Sequence, residues 1–420
     1  MSRDDPRAAR RAVWSWALYD WGNSAFATTV LAGFFPLFFR DEWYPGHDPT
    51  AASLRLGVAN SLAGVAVALT APVLGAVADR GGSRKRFLLA FTVVGVVATG
   101  ALALVGRGQW IWAVALFIAG SIGFSAAMSF YDSLLVAVAR PDETDAVSSF
   151  GYAVGYLGGG LLFAVNVLMA LRPTMFGLAG ASSAVRMSFV AVAVWWAVFT
   201  VPLALWVPEP PAANAVRGAA SFVAGWRSML ETLRAVRQHP MVWRFLLAYW
   251  LYIDGVDTII RMAVDYGRAL GFSTTSLIAA LLITQFVGLP AALGFVRIAR
   301  RIGTRRAILV GLAVYVGIAL WGARMQHARE FFALAVAVGL VQGGVQALSR
   351  SLFARLIPPE RSGEFFGFYN MLGKFAVVIG PALMGVVGRV THSTRASIAA
   401  VAALFVAGGL LLTRVRETEA

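Results

Sequence analysis

"WALYDWGNSAFATTVLAGFFPLFF", Trp16 to Phe39, has the length and apolarity of a membrane-spanning helix, yet it carries Asp20 and Asn23 in its first half. A charged side chain at the bilayer centre costs about 2.5 kcal/mol or more, so this carboxylate must face protein or a water-filled cavity rather than lipid. The run is one of many. The chain has 420 residues, 59% of them hydrophobic and 14% charged, far more apolar surface than a soluble core of that length needs. Apolar runs begin near residues 14, 54, 87, 110, 148, 185, 241, 274, 306, 330, 365 and 396, the pattern of an all-α integral membrane protein with twelve transmembrane helices. The net charge of +15 reflects arginines gathered in short loops, where they orient helices, and not a nucleic-acid surface. With no cysteine, the chain has no disulfide framework, thiolate chemistry or cysteine-ligated metal. The basic start "MSRDDPRAARRA" leads into a span too long and too polar for a signal-peptide core, so it reads as an uncleaved first helix.

Placing the N-terminus in the cytoplasm puts roughly 23 Lys and Arg on that side and roughly 10 on the other. The expected location is therefore the cell inner (plasma) membrane, multi-pass, with both termini cytoplasmic. Between the sixth and seventh spans lies a polar segment that opens "PEPPAANA" and continues "SFVAGWRSMLETLRAVRQHP". In it Phe222, Trp226, Met229, Leu233 and Val236 share one helical face, with Arg227, Arg234 and Arg237 around them, as in a helix lying on a membrane surface. The expected domains are a six-helix bundle over 1–207, a cytoplasmic linker over 208–240 and a second six-helix bundle over 241–420. An internal repeat supports the division. "LYDWGNS" (Leu18–Ser24) matches "YIDGVDT" (Tyr252–Thr258), pairing Asp20 with Asp254, Asn23 with Asp257 and Ser24 with Thr258. "DSLLVAVARPDE" (Asp132–Glu143) matches "RSLFARLIPPE" (Arg350–Glu360), and "FGYAVGYLG" (Phe150–Gly158) matches "FGFYNMLGK" (Phe366–Lys374).

The loop after the second span reads "GAVADRGGSRKR", Gly75 to Arg86, and resembles the signature of the major facilitator superfamily. Gly75 allows close helix contact, Asp79 can accept from a neighbouring helix N-terminus, and Gly81 and Gly82 let the chain reverse. Arg80 belongs to the same signature, and Arg84, Lys85 and Arg86 are expected to anchor at lipid headgroups. The corresponding "VRIARRIGTRR" of the second half has Arg300 in place of the Asp and Val296 in place of the Gly, so a carboxylate-dependent latch is expected to rest on Asp79. Four blocks, "YDWGNSAFATTV", "SSFGYAVGYLGGG", "YIDGVDTIIRMA" and "GLVQGGVQALSRSLFARLIPPERSGEFFGFYNMLGKF", together resemble the vacuole-effluxer-like (autophagy-related) family of major facilitators. The resemblance implies two pseudo-symmetric six-helix bundles around a central cavity. Its fungal members are associated with amino-acid export from the vacuole. The chain departs from the family pattern at Asp257, where a Gln is expected.

Buried charges supply the candidate site. Asp254, Asp257, Arg261 and Asp265 lie three and four apart on one face of the seventh span. Arg350 sits within the tenth span and Lys374 within the eleventh, with Gln342, Gln346 and Asn370 flanking them in sequence. The repeat equates Arg350 with Asp132, so opposite charges occupy pseudo-symmetric positions and can approach across a cavity. Two readings stand for Asp20: it binds a substrate ammonium or carries the coupling proton, or it holds helices together structurally. The set Asp20, Asn23, Asp132, Asp254, Asp257, Arg261, Gln342, Gln346, Arg350, Asn370 and Lys374 is the expected substrate and proton-coupling site.

The leading expectation is a secondary transporter working by alternating access, proton-coupled, exporting an amino acid or related metabolite. A lipid-handling protein and a non-transporting receptor or scaffold on the same fold are the alternatives. An enzyme is not expected, since no nucleophile–base pair or metal motif is present. The four histidines have no ligand spacing. Expected partners are a small-molecule substrate, protons and membrane lipid, with no nucleic acid and no cofactor, in a monomer.

Overall fold

The computed structural model describes residues 5–45, 49–209, 239–269, 273–375 and 379–416, so the expected linker helix lies outside the described residues. The helices are α1 (Pro6–Trp43), α2 (Pro49–Gly81), α3 (Arg84–Ala101), α4 (Trp110–Ser133), α5 (Thr144–Leu171) and α6 (Ala181–Trp206), followed by α7 (Pro240–Ala269), α8 (Thr274–Ile302), α9 (Thr304–Gly322), α10 (Ala328–Leu356), α11 (Ser362–Phe375), α12 (Ile379–Thr391) and α13 (Arg395–Leu412). Helices α11 and α12 occupy the eleventh expected span and α13 the twelfth. Ten helices among the described residues are long and apolar enough to cross a membrane. The other two expected spans differ for visible reasons: α7 carries Arg244, Asp254, Asp257, Arg261 and Asp265, and residues 376–378 between α11 and α12 lie outside the described residues.

Local sequence explains where these helices begin and bend. Asp5 caps α1, its side chain accepting from the Arg7 N–H at 2.9 Å, with Pro6 at the first helical position. The turns at Phe26–Phe34 and Phe39–Trp43 widen to π-helix on either side of Pro36, which lacks an N–H. Two tight reversals, α2 to α3 and α8 to α9, each turn on a left-handed glycine, Gly82 at φ 53° and Gly303 at φ 88°. Large apolar side chains such as Leu69, Val97, Val194 and Leu205 are exposed on the outer faces, where lipid would meet them.

Packing repeats with the sequence. Helix α1 lies on α5 and α6, as α7 lies on α11, α12 and α13; α3 lies on α4 and α6, as α9 lies on α10 and α13; α2 lies on α4, as α8 lies on α10. Four crossings join the two sets in pseudo-symmetric pairs, α2 with α11 and α8 with α5, then α4 with α11 and α10 with α5. One crossing is a knob in a socket. The Tyr156 ring of α5 fills the space left by Gly288 and Gly343, where an added Cβ would come within 3.1 and 2.6 Å of it. At the α2–α11 crossing backbone meets backbone instead, because a Cβ on Gly75 would run into the Gly363 carbonyl.

Candidate functional site

The polar contacts between the two helix sets gather on the half of the molecule that holds the start of α1. There α2, α4, α8 and α10 end and α3, α5, α9 and α11 begin.

The first contact is built on the exposed N–H groups at the start of α11, which no helical carbonyl can reach. Asp79, at the end of α2, accepts from the N–H of Gly363 at 3.0 Å and of Glu364 at 2.8 Å. The carboxylate is also paired with Arg84, whose other arm donates to the carbonyls of Glu360 at 2.7 Å and Pro359 at 3.3 Å. Arg84 is buried, at 1% exposure, and Lys85 donates to the carbonyls of Ala204 and Val207 at the end of α6, at 3.1 and 2.8 Å. These placements correct the expectation that Arg84 and Lys85 anchor at headgroups. Free carbonyls at a helix C-terminus carry partial negative charge and accept from a cation that lies beside them. Arg80 lies in α2, with its side chain outside the described residues.

A second contact stands at the pseudo-symmetric crossing, and the sequence reading missed it. Asp145, in the first turn of α5, pairs with Arg355 of α10 at 2.8 Å and accepts from the Thr304 hydroxyl at 2.6 Å and from Ser351. Arg355 closes the ring by donating to Thr304 at 2.7 Å. The carboxylate absent from the α8–α9 turn is thus supplied from the opposite side. Arg305 repeats the task of Lys85, donating to the Thr413 and Val415 carbonyls beyond α13 at 3.2 and 2.6 Å. The available signal was an acid at the start of α5 facing a basic end of α10.

Deeper in the same half, Asp132 and Arg350 meet at 3.0 Å, joining α4 to α10. Every nitrogen of the guanidinium is engaged, since Nε and Nη2 donate to the Ser148 hydroxyl and carbonyl at 2.9 Å each. Asn370 of α11 donates to the other Asp132 oxygen at 3.0 Å. Trp16, Tyr131 and Tyr152 surround the Arg350 cation, with Tyr152 nearest at 4.4 Å from its ring centre. A buried ion pair is favourable only when hydrogen bonds satisfy both partners, and breaking one costs about 3–5 kcal/mol. This pair meets that condition across the boundary between the two sets.

The repeated carboxylates adopt repeated geometry. Asp20 accepts from the Ser24 hydroxyl and Asp254 from the Thr258 hydroxyl, each at 3.3 Å. Each carboxylate also abuts a glycine where a Cβ would collide, Gly155 of α5 for Asp20 and Gly380 of α12 for Asp254. They differ in what the glycine offers. Asp254 receives the Gly380 N–H at 3.0 and 3.1 Å, capping the start of α12, whereas Gly155 is mid-helix. Asn23 is buried and donates to the Met128 sulfur at 2.8 Å. Asp257 and Gln346 are half-buried. Gln342 faces a cavity among the helices of the second bundle, away from the Asp132–Arg350 pair. Arg261 lies in α7 and Lys374 in α11, with their side chains outside the described residues.

Comparison with known proteins agrees with this architecture. A family described as "Vacuole effluxer Atg22 like" matches residues 46–420. The MFS-type transporter YxiO of Bacillus subtilis is 34% identical over 405 residues, 96% of this chain and 94% of the relative. Autophagy-related protein 22-2 of Aspergillus clavatus is 28% identical over 268 residues, and the match spans 57% of this chain and 43% of that longer protein. Among solved structures, the human organic anion transporter MFSD10 superposes with a TM-score of 0.76 at 17% identity, covering 96% of this chain and 99% of its own; it shares the fold. The plasma-membrane expectation is corrected by the family match, which is to a vacuole effluxer with fungal autophagy-related members. A multi-pass membrane protein is what stands.

Proposed function

Because this chain belongs to the vacuole effluxer Atg22-like family of MFS-type transporters, we propose that it carries a small solute by alternating access, with residues 1–207 and 241–420 as the two rocking bundles and 208–240 as their connection. The observation that carries this reading is the buried Asp132–Arg350 pair, held at 3.0 Å between the bundles and satisfied by Ser148 and Asn370. Together with the Asp79 and Asp145 contacts, it seals one side of the molecule. Opening that side separates Arg350 from Asp132 and exposes a cation and a carboxylate to the cavity. A zwitterion replaces each lost partner with one of its own charges, which supports an amino acid or related metabolite as the cargo. Asp20 and Asp254, each buried beside a hydroxyl and a glycine, are the groups we assign to the coupling proton, because neutralising them removes the cost of moving a charge through an apolar interior. The transporter acts as a monomer in this reading.

The test is counterflow and pH-driven uptake in proteoliposomes with amino acids, dipeptides, sugars and nucleosides, for the wild type, Asp20→Asn and Asp254→Asn. Both variants should fold and insert normally and lose pH-driven uptake. Undiminished pH-driven uptake in both would remove these carboxylates from the coupling step.

A further inference from the structure

The second bundle contains a half-open cavity of about 130 Å³ lined by α7, α8, α9, α10, α12 and α13. Its wall is hydrocarbon from Ile260, Leu281, Phe331, Met384 and Val401, with Thr258 and Gln342 contributing polar groups. Interiors pack to crystal density, so an apolar space of this size stands out within a bundle, and an occupant gives its lining the contacts that close packing supplies elsewhere. At the matching place of the first bundle the described side chains are aromatic. The register that equates Asp132 with Arg350 equates Phe117 with Ala335 and Phe124 with Gln342, and Ala335 and Gln342 both lie on the cavity wall. Phe117 stacks on Phe35 at 4.0 Å, while Phe124 lies 5.2 Å from Phe26 and 6.1 Å from Trp196. Aromatic rings therefore fill in one bundle what is hollow in the other.

We infer that this cavity is a binding site for a compact, ring-sized apolar molecule or moiety, bearing at most one polar atom directed to Gln342 or Thr258. An apolar cavity of about 150 Å³ stays dry and takes benzene or xenon, which sets the size and chemistry of the occupant. The site is separate from the Asp132–Arg350 pair and does not depend on the transport reading. Its position has a consequence for α7. Thr258, on the wall, donates to Asp254, which in turn caps α12 through Gly380, so an occupant braces the α7–α12 contact from behind.

The probes are benzene, followed by thermal unfolding, and xenon, followed by its NMR shift, with the full chain in lipid nanodiscs. Bilayer partitioning of the probe is the same for every variant, so Ala335→Phe, which restores the ring found in the first bundle, is the control. The wild type should show a saturable rise in melting temperature and a distinct bound-xenon signal. Ala335→Phe should melt higher without probe and bind benzene at least about tenfold more weakly. Ala335→Leu, a smaller filler, should fall between them and covers the case in which the Phe variant fails to fold. Equal benzene responses in wild type and filled variants, or no response in the wild type, overturn the assignment.

Discussion

Replacing Asp79 by Asn tests whether the contact between α2 and α11 holds one side of the transporter closed. Asn keeps the shape and one acceptor oxygen but puts an NH2 where the second oxygen receives an N–H. In the closed arrangement Asp79 takes the Gly363 and Glu364 N–H groups, at 3.0 and 2.8 Å, from the other bundle. One of these bonds is lost and the other becomes a neutral one. A hydrogen bond to a charged group contributes about 1.5–3 kcal/mol. The Arg84 pairing lies within one bundle, so it is lost in open and closed states alike and cancels. Arg84 also keeps its carbonyl acceptors at Pro359 and Glu360. The closed-to-open ratio should then fall roughly ten- to a hundredfold, since 1.4 kcal/mol is a factor of ten. The chain has no cysteine, so Ser362→Cys gives a single reporter at a buried position, where the native hydroxyl donates to the Ser133 carbonyl at 3.0 Å. Labelling of that thiol by a membrane-impermeant maleimide should quicken by the same roughly ten- to hundredfold factor in the Asp79→Asn background. An unchanged rate in a normally folded variant would refute the reasoning.

Two further outcomes follow from the inter-bundle contacts. Asp132→Asn and Arg350→Gln should each lower the melting temperature more than the double variant does, because each single change strands a buried charge worth about 3–5 kcal/mol; thermal melts of the four proteins in a double-mutant cycle check this, and simple additivity would contradict it. Gly343→Ala should impair transport by pushing its Cβ within 2.6 Å of the Tyr156 ring, and Tyr156→Ala in the same chain should restore it; a Gly343→Ala protein with full transport would dismiss the socket as incidental.

Much of this arrangement was legible before the fold. The repeat paired Asp20 with Asp254 and Ser24 with Thr258, and the two carboxylates do share one hydroxyl geometry at 3.3 Å. It also set Asp132 opposite Arg350, which meet at 3.0 Å. What sequence could not supply was the partner across a tertiary contact. Asp145 reads as an ordinary first-turn acid, and only the crossing of α5 with α10 brings Arg355 to it. Lys85 reads as a headgroup anchor because nothing local shows that the end of α6 lies beside it. Gln342 sits near Arg350 in sequence, but eight residues of helix set them about 12 Å apart along α10, one lining the apolar cavity and the other in the charged cluster. Axial rise along one helix face, not helical phase, separates them.

The two closing contacts differ in how they tolerate genetic change. At Asp145 the partner atoms on the opposite helices are side chains of Arg355, Thr304 and Ser351, each replaceable by a single substitution. At Asp79 the donors are main-chain N–H groups of Gly363 and Glu364, which every residue except proline retains. One contact is therefore open to drift, able to vary its strength between lineages. The other can change on its acceptor side, or by adding bulk at Gly363, where a Cβ would strike Asp79. Variation in how firmly such proteins close should accumulate more at the α5–α10 crossing than at the α2–α11 crossing.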